Sequence, residues 1–236
     1  MTDFINIHTH RFSSDENILE IVNQYPDAFV NSIPNFSIGI HPWHIDQSHI
    51  GESLKAIESK LQQQNCLAIG ECGLDKRIEM PTNLQAEVFE LQLALAEKHQ
   101  KPVIIHCVAA FQEVIETKKR LKISVPMIIH GFSKNEQTAK QLLDNGFYLS
   151  FGKYLLRNPE LEFVFKSVPN DRFFLETDTI EESIAEVYAL AATYKNLQMA
   201  ELQQQIKQNF KTVFGSGQSL NSQFSNPISQ ILNQNG

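Results

Sequence analysis

The sequence predicts an α/β fold: one (β/α) barrel of parallel strands with helices between them. Three observations lead there. Apolar runs of strand length alternate with amphipathic stretches of helix length along most of the chain, the pattern of βα units joined by right-handed crossovers. Six of those apolar runs end in His, Glu or Asp, and in a parallel barrel the strand C-termini share one face, where active sites are built. A chain of 236 residues is also long enough to bury one sizeable core.

Taken in order, the first strand is Phe4-Ile5-Asn6-Ile7, ending in His8-Thr9-His10. Residues 13–35 are too few for a helix, a strand and a second helix at 1.5 Å and about 3.3 Å per residue, so the barrel is expected to be trimmed near its first βα unit. Ile18 to Asn23 fits either strand or helix. Phe36 to Ile40 is a strand ending in His41, and Pro42 stops its ladder. Ile50 to Gln64 is a helix by its 3.6-residue period. Cys66-Leu67-Ala68-Ile69 is a buried strand stopping at Gly70, with Glu71 at its end, a turn at Gly73 and Asp75 beyond. Pro81 opens a long helix through Gln100, its expected stripe Leu84, Val88, Leu91 and Leu95, with Phe89 and Gln92 nearby. Val103-Ile104-Ile105 ends in His106, and Met127-Ile128-Ile129 in His130. Helices are predicted over 111–121, over 135–145 with a stop at Gly146, over 159–166, 184–197 and 199–214. Phe147 to Phe151 and Arg172 to Leu175 are strands, the latter followed by Glu176-Thr177-Asp178. The barrel thus occupies residues 1–214. Residues 215–236, rich in Gly, Ser, Gln and Asn, are expected to be a loose polar tail.

Composition narrows the function. A net charge of −7 speaks against a bulk electrostatic grip on nucleic acid, without excluding a local basic patch. No apolar run reaches the ~18 residues of a membrane span, and no signal peptide is read at the N-terminus. Three cysteines inside apolar runs fit buried thiols in a reducing cytoplasm rather than a disulfide framework. A cytoplasmic protein with no membrane contact and no obligate protein partner is expected.

The strand-end residues carry the chemistry. A carboxylate at the end of a buried strand is costly unless it is paired or binds a metal, so Glu71 needs a partner. His8 and His10, two residues apart on an extended segment, face one side and can bind one ion together. His8, His10, His106, His130, Glu71 and Asp178 exceed what one tetrahedral ion with an open position takes, and suit two divalent ions with Glu71 bridging. Imidazole and carboxylate ligands accept zinc, manganese or iron, and the carboxylates admit magnesium. Asp178 is placed to ligate one ion and to accept the proton of an attacking water. His41 is expected on the substrate side or behind a ligand. Asp75 either orients a ligand histidine or caps a turn. Glu176 is expected either to touch substrate or stand behind a ligand, or to be a rim acid; His44 is left open, and His49 and His99 are expected in solvent. Cys72 and Cys107 adjoin ligands and are read as buried fillers.

With those residues in hand the chain resembles a known family. His8-Thr9-His10, Gly39-Ile40-His41-Pro42, Gly70 to Asp75, Pro102 to His106, Ile129 to Ser133 and Glu176-Thr177-Asp178 are similar, in this order, to the motifs of the TatD family of metal-dependent deoxyribonucleases. The resemblance implies a TIM-type barrel of the amidohydrolase kind and hydrolysis of phosphodiesters, typically 3′-to-5′ exonuclease action on DNA. It also implies one ion on His8, His10, Glu71 and Asp178, and another on Glu71, His106 and His130. Two departures stand out. The family's Arg and Asp after its His are replaced by Cys107-Val108-Ala109-Ala110. After Asp178 come Glu181 and Glu182, an acidic mouth that Lys76, Arg77, Lys134 and Lys153 must offset for a polyanion to enter. The expected substrate is therefore DNA or a small phosphate ester. The rivals are a hydrolase of a small ester, lactone or amide, and a non-catalytic barrel kept for partner binding.

Overall fold

The computed structural model describes residues 2–215; the predicted polar tail from residue 216 onward lies outside them. Eight strands follow one another in a single parallel sheet: β1 (Phe4–Thr9), β2 (Ile18–Gln24), β3 (Phe36–Ile38), β4 (Cys66–Asp75), β5 (Val103–Val108), β6 (Met127–Ile129), β7 (Phe147–Phe151) and β8 (Phe173–Leu175). The helices are α1 (Ile50–Leu61), α2 (Thr82–His99), α3 (Phe111–Leu121), α4 (Glu136–Asp144), α5 (Lys153–Arg157), α6 (Leu161–Ser167), α7 (Ile184–Lys195) and α8 (Met199–Phe214). Each strand pairs with the next in the chain, and the sheet curls into a nearly closed TIM-type barrel. The trimming near the start is real: no helix separates β1 from β2 or β2 from β3. The ambiguous Ile18–Asn23 stretch is strand. None of the described helices is long and apolar enough to cross a membrane.

The barrel's seam lies between β8 and β1, where one backbone bridge joins Thr9 to Asp178. Side chains complete the closure. Asn6 Nδ2 donates to Thr177 Oγ1 at 2.9 Å, and Thr177 N donates back to Asn6 Oδ1 at 3.1 Å. The buried Tyr188 hydroxyl, from α7, accepts from Ile5 N and donates to Ile5 O. These bonds satisfy backbone and amide groups that a continuous ladder would otherwise have paired.

Two expectations are corrected. β4 does not stop at Gly70 but runs ten buried residues through Glu71 to Asp75. Glycine makes this continuation feasible: φ is +134° at Gly70 and +143° at Gly73, and a Cβ there would collide with the carbonyl oxygens of Ile104 and His106 on β5. The buried face of α2 is also rotated from the expected stripe. Gln85, Val88, Phe89, Gln92, Leu93 and Ala96 are buried, whereas Leu91 is exposed. The cause is hydrogen bonding. Gln92 Oε1 accepts from Ile40 N at 2.7 Å while its Nε2 donates to Ile40 O. Gln85 brackets Asp75 in the same way, through Asp75 N and Asp75 O. Two amides thus fix the chain just past β3 and the end of β4, the segments that carry His41 and Asp75.

Candidate metal centre

Glu71 lies at the middle of the strand C-terminal face and is almost fully buried. Five imidazole nitrogens surround its two oxygens. His130 Nε2, His106 Nδ1 and His41 Nε2 lie 2.7, 2.8 and 3.2 Å from Oε1. His8 Nε2 and His10 Nε2 each lie 3.4 Å from Oε2. Asp178 Oδ1 is 3.4 Å from His10 Nε2 and 3.8 Å from His8 Nε2. Asp178 has a left-handed backbone, φ +55°, and is held by the seam: His10 N donates to its carbonyl and its own N–H donates to His8 O. The backbone of Glu71 is fixed by Asn23 on β2, whose Oδ1 accepts from Glu71 N at 2.7 Å.

Charge is settled between these groups. Burial alone would raise Glu71, but His130, His10 and His106 hold it well below the usual carboxylate range. Burial opposes a proton on His10, yet Asp178 and Glu71 outweigh it and raise His10 to about 9. His130 likewise rises well above the ordinary imidazole value, against its burial, through Glu71 and Glu176. Burial pushes His41 down despite Glu71. Asp178 falls below its ordinary value, since His10 and His8 overcome its burial.

The donor set fits divalent cations. Three triads offer ligand atoms within 4.8 Å of one another: His8, His10 and Asp178; His8, Glu71 and His130; His41, Glu71 and His106. Both ring nitrogens of His8 are buried without a hydrogen-bond partner. Leaving buried polar atoms unpaired is costly, and a cation between His8, Glu71 and Asp178 would engage the orphaned nitrogen facing them. Glu71 belongs to two of the triads, the geometry a bridging carboxylate needs.

The remaining expected site residues fall as follows. His41, expected on the substrate side or behind a ligand, belongs to a triad instead. Asp75 is placed beside both a candidate ligand and a turn: Oδ2 lies 3.4 Å from His106 Nε2 and accepts from Trp43 Nε1 at 2.8 Å, while Oδ1 accepts from Arg77 N. Glu176 is not at the rim. It is buried behind His130, with Oε1 accepting from Gly131 N at 2.7 Å and lying 3.4 Å from His130 Nδ1. His44 is exposed, and His49 is exposed beside Asp46. His99 is partly covered and contacts Glu58. Cys72 and Cys107 are buried, and burial raises both thiols, Cys107 to about 12, which leaves them unreactive fillers. Asn23, Gln85 and Gln92 were missed by sequence reasoning. Their signal is a polar amide inside an otherwise apolar stretch.

A cavity of about 510 Å³ opens over the cluster. Its walls include Arg77, Lys134 and Lys153, and no carboxylate pairs with these three cations among the described residues. Lys76, by contrast, is engaged by Glu113. The acidic residues at the mouth are neutralised: Glu181 pairs with Arg11 at 2.5 Å and Glu182 with Arg157 at 3.1 Å.

Comparison with known proteins identifies relatives of the chain and of its fold. The sequence model of a family described as TatD related DNase matches residues 1–215. The metal-dependent hydrolase YabD of Bacillus subtilis is 33% identical over 165 residues, 68% of this chain and 62% of that protein. A protein named 3′-5′ ssDNA/RNA exonuclease TatD, from Erwinia tasmaniensis, is 30% identical over 168 residues, 68% of this chain and 61% of its own length. The matched stretch therefore spans less than two thirds of either relative. Among solved structures, the TatD homologue YjjV of Escherichia coli K12 superposes with a TM-score of 0.78 at 23% identity, covering 91% of this chain and 98% of that one. A TatD family hydrolase from Entamoeba histolytica gives a TM-score of 0.74 at 16% identity, covering 90% and 98%.

Proposed function

The chain belongs to the TatD-related DNase family of metal-dependent hydrolases, and from that premise we propose that it cleaves phosphodiesters, trimming single-stranded DNA or RNA from the 3′ end with two divalent ions. One observation carries the choice of a phosphodiester over a neutral ester: Arg77, Lys134 and Lys153 line the same cavity as the ligand cluster and carry no acidic partner among the described residues. Unpaired cations beside a metal centre suit an anionic substrate. With the mouth acids held by Arg11 and Arg157, a polyanion meets a positive cavity on a chain of negative net charge.

His8, His10 and Asp178 would hold one ion, and Glu71 with His106, His130 and His41 the other. Such ions polarise a phosphoryl oxygen and make a water more acidic. The protein's own groups do the rest. Asp178, ionised at neutral pH and partly open to the cavity, accepts the proton of the attacking water. Asp75 fixes the ring of His106, and Glu176 that of His130, so the ligand geometry is preset. The three cations hold the reacting phosphate and those that continue the strand on its 5′ side.

The test is direct. Protein stripped of metal and reloaded with Mn²⁺, Zn²⁺ or Mg²⁺ is incubated with 5′-labelled single-stranded DNA and RNA, model phosphodiesters, and a panel of small esters, lactones and amides. A ladder shortening from the 3′ end is expected. Intact oligonucleotides and phosphodiesters under every loading would overturn the reading, and turnover of the small esters alone would put the amidohydrolase-like rival in its place.

A further inference from the structure

Six large apolar side chains are exposed among the described residues, and two of them, Trp43 (57%) and Tyr154 (42%), line the cavity over the ligand cluster. Large aromatic surface left open to water is unfavourable unless something covers it. The two rings stand on opposite rims. Trp43 follows β3, and Tyr154 lies in α5 after β7, four strands further round an eight-stranded barrel. The metal centre lies between them.

Trp43 is held before any ligand arrives. Its indole N–H is tethered to Asp75, and its ring meets those of His41 and His106 edge-on at 5.2 and 5.8 Å between centroids. Cations share the cavity wall with both rings. Lys153 Nζ lies 5.8 Å from the Tyr154 ring centroid, and Arg77 lines the same cavity as Trp43. Aromatic rings and unpaired cations on one cavity wall match the repeating unit of a nucleic-acid strand: a planar base and an anionic phosphate. Part of the wall between the rims, Cys107, Val108 and Phe111, is apolar.

We infer that Trp43 and Tyr154 stack the two bases flanking the scissile phosphate, one on each rim, with Arg77 and Lys153 serving that phosphate and the strand that continues on its 5′ side. This rests on the phosphodiesterase reading and deepens it. Recognition by stacking tolerates any sequence, ranks purines above pyrimidines through their larger rings, and requires bases free of a partner strand.

Two measurements test it. Trp43 is the only tryptophan, so its fluorescence reports the clamp without turnover. Metal-free protein in EDTA is titrated with deoxyadenylate oligomers and with inorganic phosphate. Quenching by the oligomer and none by phosphate is expected; no quenching by the oligomer overturns the stack on Trp43. The reloaded enzyme is then given oligonucleotides with an abasic residue on one or the other side of the terminal phosphodiester. Wild type should lose about ten-fold or more in kcat/KM on each. Trp43→Ala should stop discriminating at one of the two positions and Tyr154→Ala at the other, while Trp43→Phe and Tyr154→Phe, which keep a ring, should discriminate as wild type does. Alanine variants that discriminate like wild type overturn the clamp and leave the nuclease reading standing. Quenching by the oligomer without cleavage of any oligonucleotide would overturn the nuclease reading and leave base stacking in place.

Discussion

Replacing Glu71 with glutamine tests the bridging role. The amide keeps the shape of the side chain and removes its charge. Glu71 belongs to two of the three ligand triads. Without its carboxylate, His41, His106 and His130 are left with no anionic ligand and no bridge to the other ion, which weakens the second site. His8, His10 and Asp178 remain a complete triad. Occupancy should therefore fall from two ions per chain to at most one. The thermal consequence follows by mass action. At a free-metal concentration a hundred times Kd, each occupied site stabilises the fold by about 2.7 kcal/mol. A chain of this size gains about 2–4 °C in Tm per kcal/mol, so full loading should raise Tm by about 10–20 °C in wild type and by half of that or less in Glu71→Gln. Native mass spectrometry counts the ions, and differential scanning calorimetry with and without EDTA reads the shift. Two ions retained in Glu71→Gln, with a wild-type rise in Tm, would refute the argument.

Two further outcomes are expected. Metal binding should strengthen as pH rises toward 9: below that value His10 keeps its proton in the metal-free protein, and an ion must displace it. The sign is checked by calorimetry in buffers of different ionisation enthalpy, which should show proton release at pH 7 that decreases as pH rises through about 9. Without metal the same group acts oppositely. Its raised folded value contributes stability that is full below the ordinary imidazole pKa of about 6.5 and lost as pH rises through about 9. Gln92→Leu should cost about 1–3 kcal/mol for each group of Ile40 left unpaired, since both its N–H and C=O use that amide. Urea unfolding would read the loss, and metal affinity should fall with it because His41 is the next residue.

Much of the site is legible in the sequence because its ligands obey one rule of position. His8, Glu71, His106, His130 and Asp178 each stand at or near the C-terminal end of an apolar run, and a parallel barrel gathers those ends whatever the loops do. What escaped has a different physical origin. Glu176 sits in the same row but faces inward behind His130, and side-chain direction just past a three-residue strand has no periodic signature. The continuation of β4 past Gly70 depends on how closely β5 approaches, a tertiary distance. The rotated face of α2 follows from Gln85 and Gln92, whose amides bond to backbone groups remote in sequence, so a hydrophobic count alone aims the helix wrongly. The clamp residues Trp43 and Tyr154 become a pair only when the strand order puts β3 opposite β7.

The seam between β8 and β1 gives the metal a second role. His8 and His10 stand on one side of it and Asp178 on the other. An ion held by all three would act as a staple between the two ends of the barrel, closing a loop of 169 residues. A permanent cross-link over that span would remove about 5 kcal/mol of chain entropy from the unfolded state. A chain that has not yet laid down β8 carries all six of the histidine and glutamate ligands and still lacks the clasp, so full metal retention would mark a barrel whose last strand has docked.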